Sequence, residues 1–179
     1  MRALDNARSS GRPVIGNEPV AAAAVVVALG AMATLLGAWF FEYVLGYAPC
    51  PLCLQQRIPY YAAIPLAVIV AAGALKRWPR QAIIGGFALI ALVMLIGAGM
   101  GAYHSGVEWK WWPGPTSCGG PLGQLGSGNL LDLVQNTRII RCDEAAWRFL
   151  GLSLAGWNVL IALALAGVAA WGARQAARS

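Results

Sequence analysis

Four long stretches of the chain contain no charged residue, and they constrain the fold more than any other feature of the sequence. They cover residues 20–41, 58–75, 82–103 and 149–173. Each reaches the roughly 17 to 25 apolar residues that an α-helix needs to cross a bilayer. Only 11% of the residues are charged, whereas soluble globular domains carry about 25%. The sequence therefore predicts an all-α membrane protein, a bundle of four transmembrane helices, and excludes a water-soluble globule.

The segments between these runs are too short for a second folded domain, because independent domains rarely fall below about 50 residues. We therefore predict a single membrane domain over residues 1–179. Its segments are a tail at 1–18, spans at 19–42, 58–75, 82–103 and 149–173, a loop at 43–57, a turn at 76–81, a long loop at 104–148 and a tail at 174–179. The long loop holds one short apolar stretch, residues 130–134, which we expect to form a helix on the membrane surface.

Glycine and proline inside the spans bear on helix packing. Gly97, Gly99 and Gly101 fall in the third span, where small residues let neighbouring helices approach closely. Pro65 falls inside the second span, and the hydrogen bond that its missing N–H removes is expected to kink that helix. Such a kink is expected to widen a cavity at the mouth of the helix.

Most basic residues lie in three short clusters beside the predicted spans. The clusters contain Arg2, Arg8, Arg12, Lys76, Arg77, Arg80, Arg174 and Arg178. Basic residues favour the cytoplasmic side of a membrane, so we predict that both termini and the 76–81 turn are cytoplasmic and that the other two loops are outside. The formal net charge is +6, but the basic residues form no continuous face of the kind that binds nucleic acid. We expect a lipid bilayer around the chain and no nucleic-acid partner.

All four cysteines lie in the two predicted outer loops. Cys50 and Cys53 form a Cys-Pro-Leu-Cys sequence in the first loop, and Cys118 and Cys142 lie far apart in the second. Compartments outside the cytoplasm are oxidising, so disulfide chemistry is expected there. Two intervening residues let the first pair close and reopen a small ring, and a position at the start of a helix favours the thiolate. The pattern indicates a redox-active pair.

Two other interpretations of the cysteines, a zinc site and purely structural disulfides, compete with a redox-active pair. A zinc site built from four cysteines usually needs two close pairs, and the spacing between Cys118 and Cys142 is too wide for the second. Two purely structural disulfides would leave the Cys-Pro-Leu-Cys spacing and the membrane setting unused. Both are disfavoured but stay open on the sequence, and we expect no metal.

Three other ionisable residues fall at the predicted level of the cysteines. Arg57 lies four residues after Cys53, so on a helix their side chains share one face and the cation would stabilise a thiolate. His104 closes the third span and is a candidate for hydrogen bonding or proton transfer. Glu42, at the end of the first span, is either a boundary charge or a proton carrier.

Several motifs together resemble the disulfide bond formation protein B (DsbB) family. They are Cys50-Pro51-Leu52-Cys53 followed by Arg57, Tyr103-His104-Ser105-Gly106-Val107-Glu108-Trp109, Trp112-Pro113-Gly114-Pro115 before Cys118, and Cys142-Asp143-Glu144 before Trp147-Arg148-Phe149-Leu150-Gly151. The resemblance covers about residues 20–172, and its ordered cysteines and spans are more specific than a single CxxC pair. It implies a four-helix bundle in the bacterial inner membrane, with the cysteines in the periplasm.

The resemblance also implies an activity. The protein would reoxidise a soluble periplasmic thioredoxin-fold oxidase, DsbA, and pass the electrons to ubiquinone or menaquinone. Cys118 would form the mixed disulfide with that partner, and Cys142 would be its disulfide mate. Cys50 would then exchange with Cys142 through a disulfide between the two loops.

On the quinone side, the resemblance implies that the Cys53 thiolate contacts the cofactor, with Arg57 and His104 beside the ring. The partner disulfide is itself oxidising, and each 30 mV uphill costs about 1.4 kcal/mol for two electrons, so a strong terminal acceptor is needed. We expect the quinone in the helix-mouth cavity near Pro65, with its isoprenoid tail leaving between the first and fourth spans.

Two alternative functions compete with this one. Proteins of the vitamin K epoxide reductase type are also four-helix, quinone-linked thiol oxidoreductases, but they carry the CxxC in the last core helix, whereas here it precedes the second span. A non-catalytic membrane subunit whose loops are stapled by disulfides is the other alternative. Redox cycling of the cysteines separates that subunit from an oxidase.

Overall fold

The structure, a computed structural model, describes residues 18–115 and 142–178. Its elements in chain order are α1 (Glu18–Trp39), a π-helical turn (Phe40–Val44), α2 (Pro51–Gln55), α3 (Ile58–Leu75), α4 (Arg80–Glu108), β1 (Arg148–Phe149), β2 (Leu152–Ser153) and α5 (Leu154–Arg178). The surface helix predicted at 130–134 lies outside the described residues.

Four helical segments are long and apolar enough to cross a membrane. They are Glu18–Val44, Pro51–Leu75, Arg80–Glu108 and Leu154–Arg178. The predicted all-α architecture with four transmembrane helices is therefore confirmed. Both α1 and α4 pack against α3 and against α5, so the four long helices form a closed ring of neighbours.

The core between the helices combines many small residues with a few bulky ones. Alanines such as Ala24 and Ala63 are fully buried, as are the side chains of Phe87 and Met94. Small residues allow the close helix approach that packing within a membrane requires. Large apolar side chains such as Leu29 cover the outside, where lipid is the surrounding solvent.

Helix α4 is longer than the predicted third span. The sequence predicted a loop from residue 104, but the helix continues through Glu108. His104 and Glu108 are buried rather than boundary residues. Hydropathy marks a polar residue as the end of a span, whereas a polar side chain is tolerated inside a bundle where the neighbouring elements supply partners.

Helix α5 begins later than predicted. The fourth span was expected from residue 149, whereas α5 starts at Leu154 because the antiparallel strands β1 and β2 precede it. Leu150 and Gly151, which connect the strands, have φ angles of 52° and 81°. Positive φ at both central positions is required by a two-residue type I′ turn. Apolar composition alone does not reveal such a hairpin.

Gly101 lies where α4 packs against α5. A Cβ there would lie 2.9 Å from Val159 Cγ2 and 3.2 Å from the carbonyl oxygen of Ala155, whereas a Cβ at Gly99 would meet nothing within 4 Å. The predicted close packing thus holds for Gly101 and not for Gly99. We expect Gly101→Val to lower the thermal unfolding midpoint in detergent by about 3 to 9 °C, because overpacking costs about 1 to 3 kcal/mol.

Gly99→Val is the matched control for this prediction, since it adds the same side chain to the same helix, where there is open space. Its unfolding midpoint should stay close to that of the wild type. Equal midpoints for the two variants would contradict the packing of α4 against α5.

Candidate active site

The Cys-Pro-Leu-Cys sequence forms the start of the short helix α2. Cys50 is the N-cap residue and Pro51 the first helical residue, a position where a missing N–H costs little. The backbone N–H of Cys53 donates a hydrogen bond to Cys50 Sγ at 3.2 Å. Both cysteines are free thiols, and their Sγ atoms lie 2.7 Å apart. A disulfide, with an S–S bond of about 2.05 Å, would form with little movement of the backbone.

The surroundings of Cys50 favour its thiolate. The hydrogen bond from the Cys53 side chain is the main cause of a lowered pKa for Cys50. The hydrogen bond and the electrostatic field of His104 lower this pKa further, whereas burial raises it. Together they lower the pKa of Cys50 from 9.0 to about 5. Within the reduced pair, Cys50 is therefore the sulfur that carries the negative charge at neutral pH.

This assignment predicts a titration. We expect the thiolate absorbance of the fully reduced protein, taken as a difference from a Cys50→Ser variant, to be complete at pH 7. It should be lost as the pH falls through about 5, because the proton then returns to Cys50. An ultraviolet titration measures it, and a midpoint near the ordinary value of 9.0 would contradict the assignment.

His104 reaches the cysteine pair from α4. Its Nε2 atom lies 3.7 Å from Cys50 Sγ and 3.9 Å from Glu108 Oε1, and its Nδ1 atom lies 2.6 Å from Gln56 Nε2. The His104 residue is only 3% exposed. The structure therefore brings the predicted residues His104 and Cys50 together, although the sequence assigned His104 to the edge of a loop.

Two amide side chains extend this polar cluster into the bundle. Asn158 Nδ2 of α5 donates to Gln56 Oε1 at 2.7 Å, and the Tyr60 hydroxyl of α3 donates to Asn158 Oδ1 at 2.6 Å. Sequence analysis missed Gln56 and Asn158. The signal for Asn158 was its polarity inside an apolar span, where polar side chains need partners; Gln56 carried no comparable signal.

Arg57 lies in the turn between α2 and α3, not on one continuous helix with Cys53. Its Nη1 atom donates to Glu42 Oε2 at 2.6 Å, and the two side chains are 12% and 19% exposed. The ion pair ties the π-helical turn that ends α1 to the start of α3. Sequence analysis considered Glu42 only as a boundary charge or a proton carrier and missed this pairing.

A cavity of about 450 Å³ opens between α1 and α5, beside the cysteine pair. Its wall is mainly apolar and includes Leu35, Phe41, Trp147 and Trp157, and its polar end is formed by Cys53, Gln56, Arg57, Tyr60, His104 and Asn158. The volume is typical of small-molecule sites, which combine apolar walls with a few polar groups. Pro65 does not line it, so the cavity lies closer to the cysteines than the kink suggested.

The two cysteines of the pair face different surroundings. Cys53 lines the cavity and Cys50 does not. Cys50 belongs to a buried apolar cluster that includes Val107 and Cys142, and Cys53 packs against that cluster on its way to the cavity wall. Cys142 is disulfide-bonded, and its predicted mate, Cys118, lies outside the described residues. The pair therefore stands between a disulfide-bonded cysteine on one side and an apolar cavity on the other.

The segment that carries Cys142 is held near α4 by an exposed ion pair, in which Lys110 Nζ donates to Asp143 Oδ2. Exposed ion pairs contribute little stability, so this contact adds little to the free energy that holds the segment near α4. The imidazole of His104 also interacts with the backbone of Cys142. His104 thus lies between the cysteines of the two loops.

The donor atoms of Cys50, Cys53 and His104 all lie within 4.8 Å of one another, which is close enough for one metal ion to reach all three. Two thiolates on one zinc ion, each about 2.3 Å from it in a tetrahedral arrangement, keep their sulfurs roughly 3.8 Å apart. The observed Sγ–Sγ distance of 2.7 Å is much shorter. The geometry fits a dithiol that closes to a disulfide better than it fits a pair of metal ligands.

Comparison with known proteins identifies a matching family. The family model described as Disulfide bond formation protein DsbB matches residues 21–172. A Disulfide bond formation protein B from Polaromonas sp. (strain JS666) is 32% identical over 150 residues, 80% of this chain and 85% of that protein. Proteins of the same description from Xanthomonas oryzae pv. oryzae, 37% identical over 129 residues (68% and 72%), and Saccharophagus degradans, 28% over 159 residues (86% and 93%), also match. No solved structure matches the chain.

Proposed function

Because the chain belongs to the DsbB family and is thus a membrane disulfide bond formation protein, we propose that it reoxidises a soluble periplasmic thioredoxin-fold oxidase of the DsbA type. The two electrons removed from that partner pass to a membrane quinone, ubiquinone or menaquinone. The protein acts in the bacterial inner membrane, with both termini in the cytoplasm and the cysteines on the periplasmic side. The basic residues Lys76, Arg77 and Arg80, between the ends of α3 and α4, support this orientation.

The observation that carries the proposal is the two-sided setting of the Cys-Pro-Leu-Cys pair. Cys50 lies in the same buried cluster as Cys142, the cysteine that would deliver electrons from the second loop. Cys53 lines the apolar cavity, where an electron acceptor from the membrane would bind. One residue pair thereby joins a protein thiol on one side to a small molecule on the other.

In the proposed mechanism, two electrons move from the partner to the Cys50–Cys53 pair by thiol–disulfide exchange. A thiolate of the reduced partner attacks Cys118, the Cys118–Cys142 bond breaks, and Cys142 leaves as a thiolate. Cys142 then attacks Cys50 of the Cys50–Cys53 disulfide, and Cys53 leaves as a thiolate at the cavity. The second thiol of the partner resolves its mixed disulfide with Cys118, so the partner leaves oxidised.

Cys118 then attacks Cys142, which restores their disulfide and releases Cys50. A leaving thiolate with a low pKa departs faster, and the pKa of Cys50 is lowered to about 5.

The cavity residues fit a quinone. A bound quinone supplies an acceptor for two electrons and two protons. Phe41, Trp147 and Trp157 provide flat apolar walls, and Arg57 and His104 at the polar end provide N–H donors for carbonyl oxygens. The position of the cavity between α1 and α5 leaves an isoprenoid tail a route into the lipid. In this account Arg57, which pairs with Glu42, stabilises negative charge at the carbonyl end of the site.

The proposal is tested by purifying the full chain in detergent and adding a reduced thioredoxin-fold oxidase together with a soluble quinone. The ultraviolet absorbance of the quinone then measures its reduction. We expect many turnovers for each protein molecule and matching oxidation of the partner's thiols. Absence of turnover with ubiquinone and menaquinone analogues and several such partners would overturn the proposal.

A further inference from the structure

The amide of Gln56 has one orientation that satisfies all its neighbours. Its Nε2 atom lies 3.4 Å from the carbonyl oxygen of Leu52 and 2.6 Å from His104 Nδ1. Its Oε1 atom accepts a hydrogen bond from Asn158 Nδ2 at 2.7 Å. Because a carbonyl oxygen only accepts hydrogen bonds, turning the amide over would bring two oxygens together at Leu52. The NH₂ group therefore faces His104.

This orientation determines where the proton of His104 lies. Gln56 uses one N–H toward Leu52 and the other toward His104 Nδ1, so Nδ1 must accept. A neutral imidazole has one donor and one acceptor nitrogen, and the proton of His104 is thereby fixed on Nε2. That nitrogen is the one that lies 3.7 Å from Cys50 Sγ.

We propose that Gln56 is a positioning residue that holds His104 as the Nε2-protonated tautomer, so that His104 donates a hydrogen bond to the Cys50 thiolate and does not act as its base. A role of Gln56 in turnover rests on the proposed thiol oxidase function, whereas the tautomer of His104 does not depend on that function. Asn158 supports Gln56 by occupying its oxygen, and the Tyr60 hydroxyl in turn orients Asn158.

The negative groups around His104, a Cys50 thiolate and the Glu108 carboxylate, favour a proton on the ring, so the position of that proton depends on the partner of each nitrogen. The neighbours of His104 are Cys50 and Cys53 at the start of α2 and the backbone of Cys142 in the second loop. On its own helix α4, Glu108 Oε1 lies 3.9 Å from His104 Nε2. Glu108 also interacts with Ser153 and Arg148. An imidazolium would carry a second proton on Nδ1, pointing at the Gln56 NH₂ group. The Gln56 NH₂ group opposes a proton on Nδ1, and Nε2 keeps the proton that faces the thiolate.

The chain is well suited to a direct test, because His104 is its single histidine. The reduced full-length protein, labelled with ¹⁵N-histidine and carrying no polyhistidine tag, should show one protonated nitrogen at Nε2 and one unprotonated nitrogen at Nδ1 at neutral pH. In Gln56→Leu the two tautomers should mix. In Gln56→Glu the carboxylate should draw a proton to Nδ1, whether the ring is neutral or charged.

Gln55→Leu is the matched control, since Gln55 is the exposed residue next to Gln56 and ends α2, and its spectrum should match that of the wild type. Glu108→Gln tests the competing explanation, that the carboxylate alone keeps the proton on Nε2; under the proposal Nε2 stays protonated. A proton on Nδ1 of the neutral wild-type protein, an unchanged spectrum for Gln56→Leu, or movement of the proton in Glu108→Gln would overturn the proposal. The wild-type spectrum alone shows which nitrogen of His104 carries the proton, even where a variant fails to fold.

A second measurement connects the tautomer to the thiolate. Hydrogen bonds to charged groups are stronger than neutral ones, so losing the Nε2 donor of the neutral ring in half the molecules or more should raise the titration midpoint of Cys50 in Gln56→Leu by up to about one pH unit, a tenfold change in acid dissociation. A lower midpoint would overturn the proposal, because it would show that Gln56 controls the charge of His104 and not its tautomer. Gln55→Leu should leave the midpoint unchanged. Because neither readout uses a partner or a quinone, failure of the tautomer proposal is distinguishable from failure of the proposed oxidase function.

Discussion

Replacing Cys53 with serine is expected to reduce quinone turnover by more than about a thousandfold, because every electron pair must pass through the sulfur that lines the cavity and the serine hydroxyl forms no disulfide. The loss should be equal with the reduced protein partner and with dithiothreitol as the electron donor. The measurement is the rate of quinone reduction by ultraviolet absorbance, with both donors at saturating concentrations.

Cys118→Ser is the matched variant for this prediction. It makes the same substitution in the second loop, where the partner would attack. Reduction driven by the protein partner should be lost, whereas dithiothreitol, which is small enough to attack the Cys50–Cys53 disulfide directly, should still drive turnover. Equal behaviour of the two variants with dithiothreitol would contradict the assignment of Cys53 to the quinone side.

The second large effect is expected at Arg57. Arg57→Met removes the cation from the polar end of the cavity and leaves the partly buried carboxylate of Glu42 without its partner. We expect the KM for quinone to rise about 10- to 100-fold, because a charge-assisted hydrogen bond contributes about 1.5 to 3 kcal/mol. We also expect the free energy of unfolding to fall by about 1 to 3 kcal/mol, the cost of an unsatisfied partner.

The double variant Glu42→Gln/Arg57→Met separates these two effects. It removes the stranded carboxylate, so stability should return most of the way toward that of the wild type. The KM should stay high, because the cation is still absent. Recovery of both stability and KM would show that Arg57 serves only to pair with Glu42, which contradicts its role at the site.

The outline of the fold was predictable because it depends on local composition. Four apolar runs of sufficient length indicate four spans wherever they occur, and the structure has them. The ends of the spans were less predictable. His104 and Glu108 looked like the beginning of a loop, yet the bundle gives His104 polar partners and α4 continues through both. The hairpin before α5 depends on positive φ angles at two residues, and hydropathy carries no information about them.

The candidate site also contains residues that the sequence predicted and residues that it did not. Cys50, Cys53, Arg57 and His104 stood out because their chemistry is rare in an apolar chain, and the structure gathers them at one end of the bundle. Their partners could not be found in this way. Gln56 and Asn158 are 102 residues apart in the chain, and only the packing of the turn after α2 against α5 brings their amides together.

The pairing of Arg57 with Glu42 likewise depends on how α1 ends. The helix closes with a π-helical turn that carries Glu42, and the carboxylate meets the guanidinium across the start of α3. Helical periodicity tells which face a residue occupies, but it does not tell which residue of a neighbouring helix lies opposite. The polar network was therefore accessible only from the three-dimensional structure.

The central claim is that the chain couples oxidation of a protein dithiol to reduction of a quinone. The most direct measurement counts the partner dithiols oxidised by the purified, fully oxidised protein without oxygen, first without quinone and then with it. The account predicts that without quinone oxidation stops once the four cysteines of the protein are reduced, and that with quinone it continues with one quinone consumed for each dithiol. Oxidation that stops at the same point in the presence of quinone would contradict the claim.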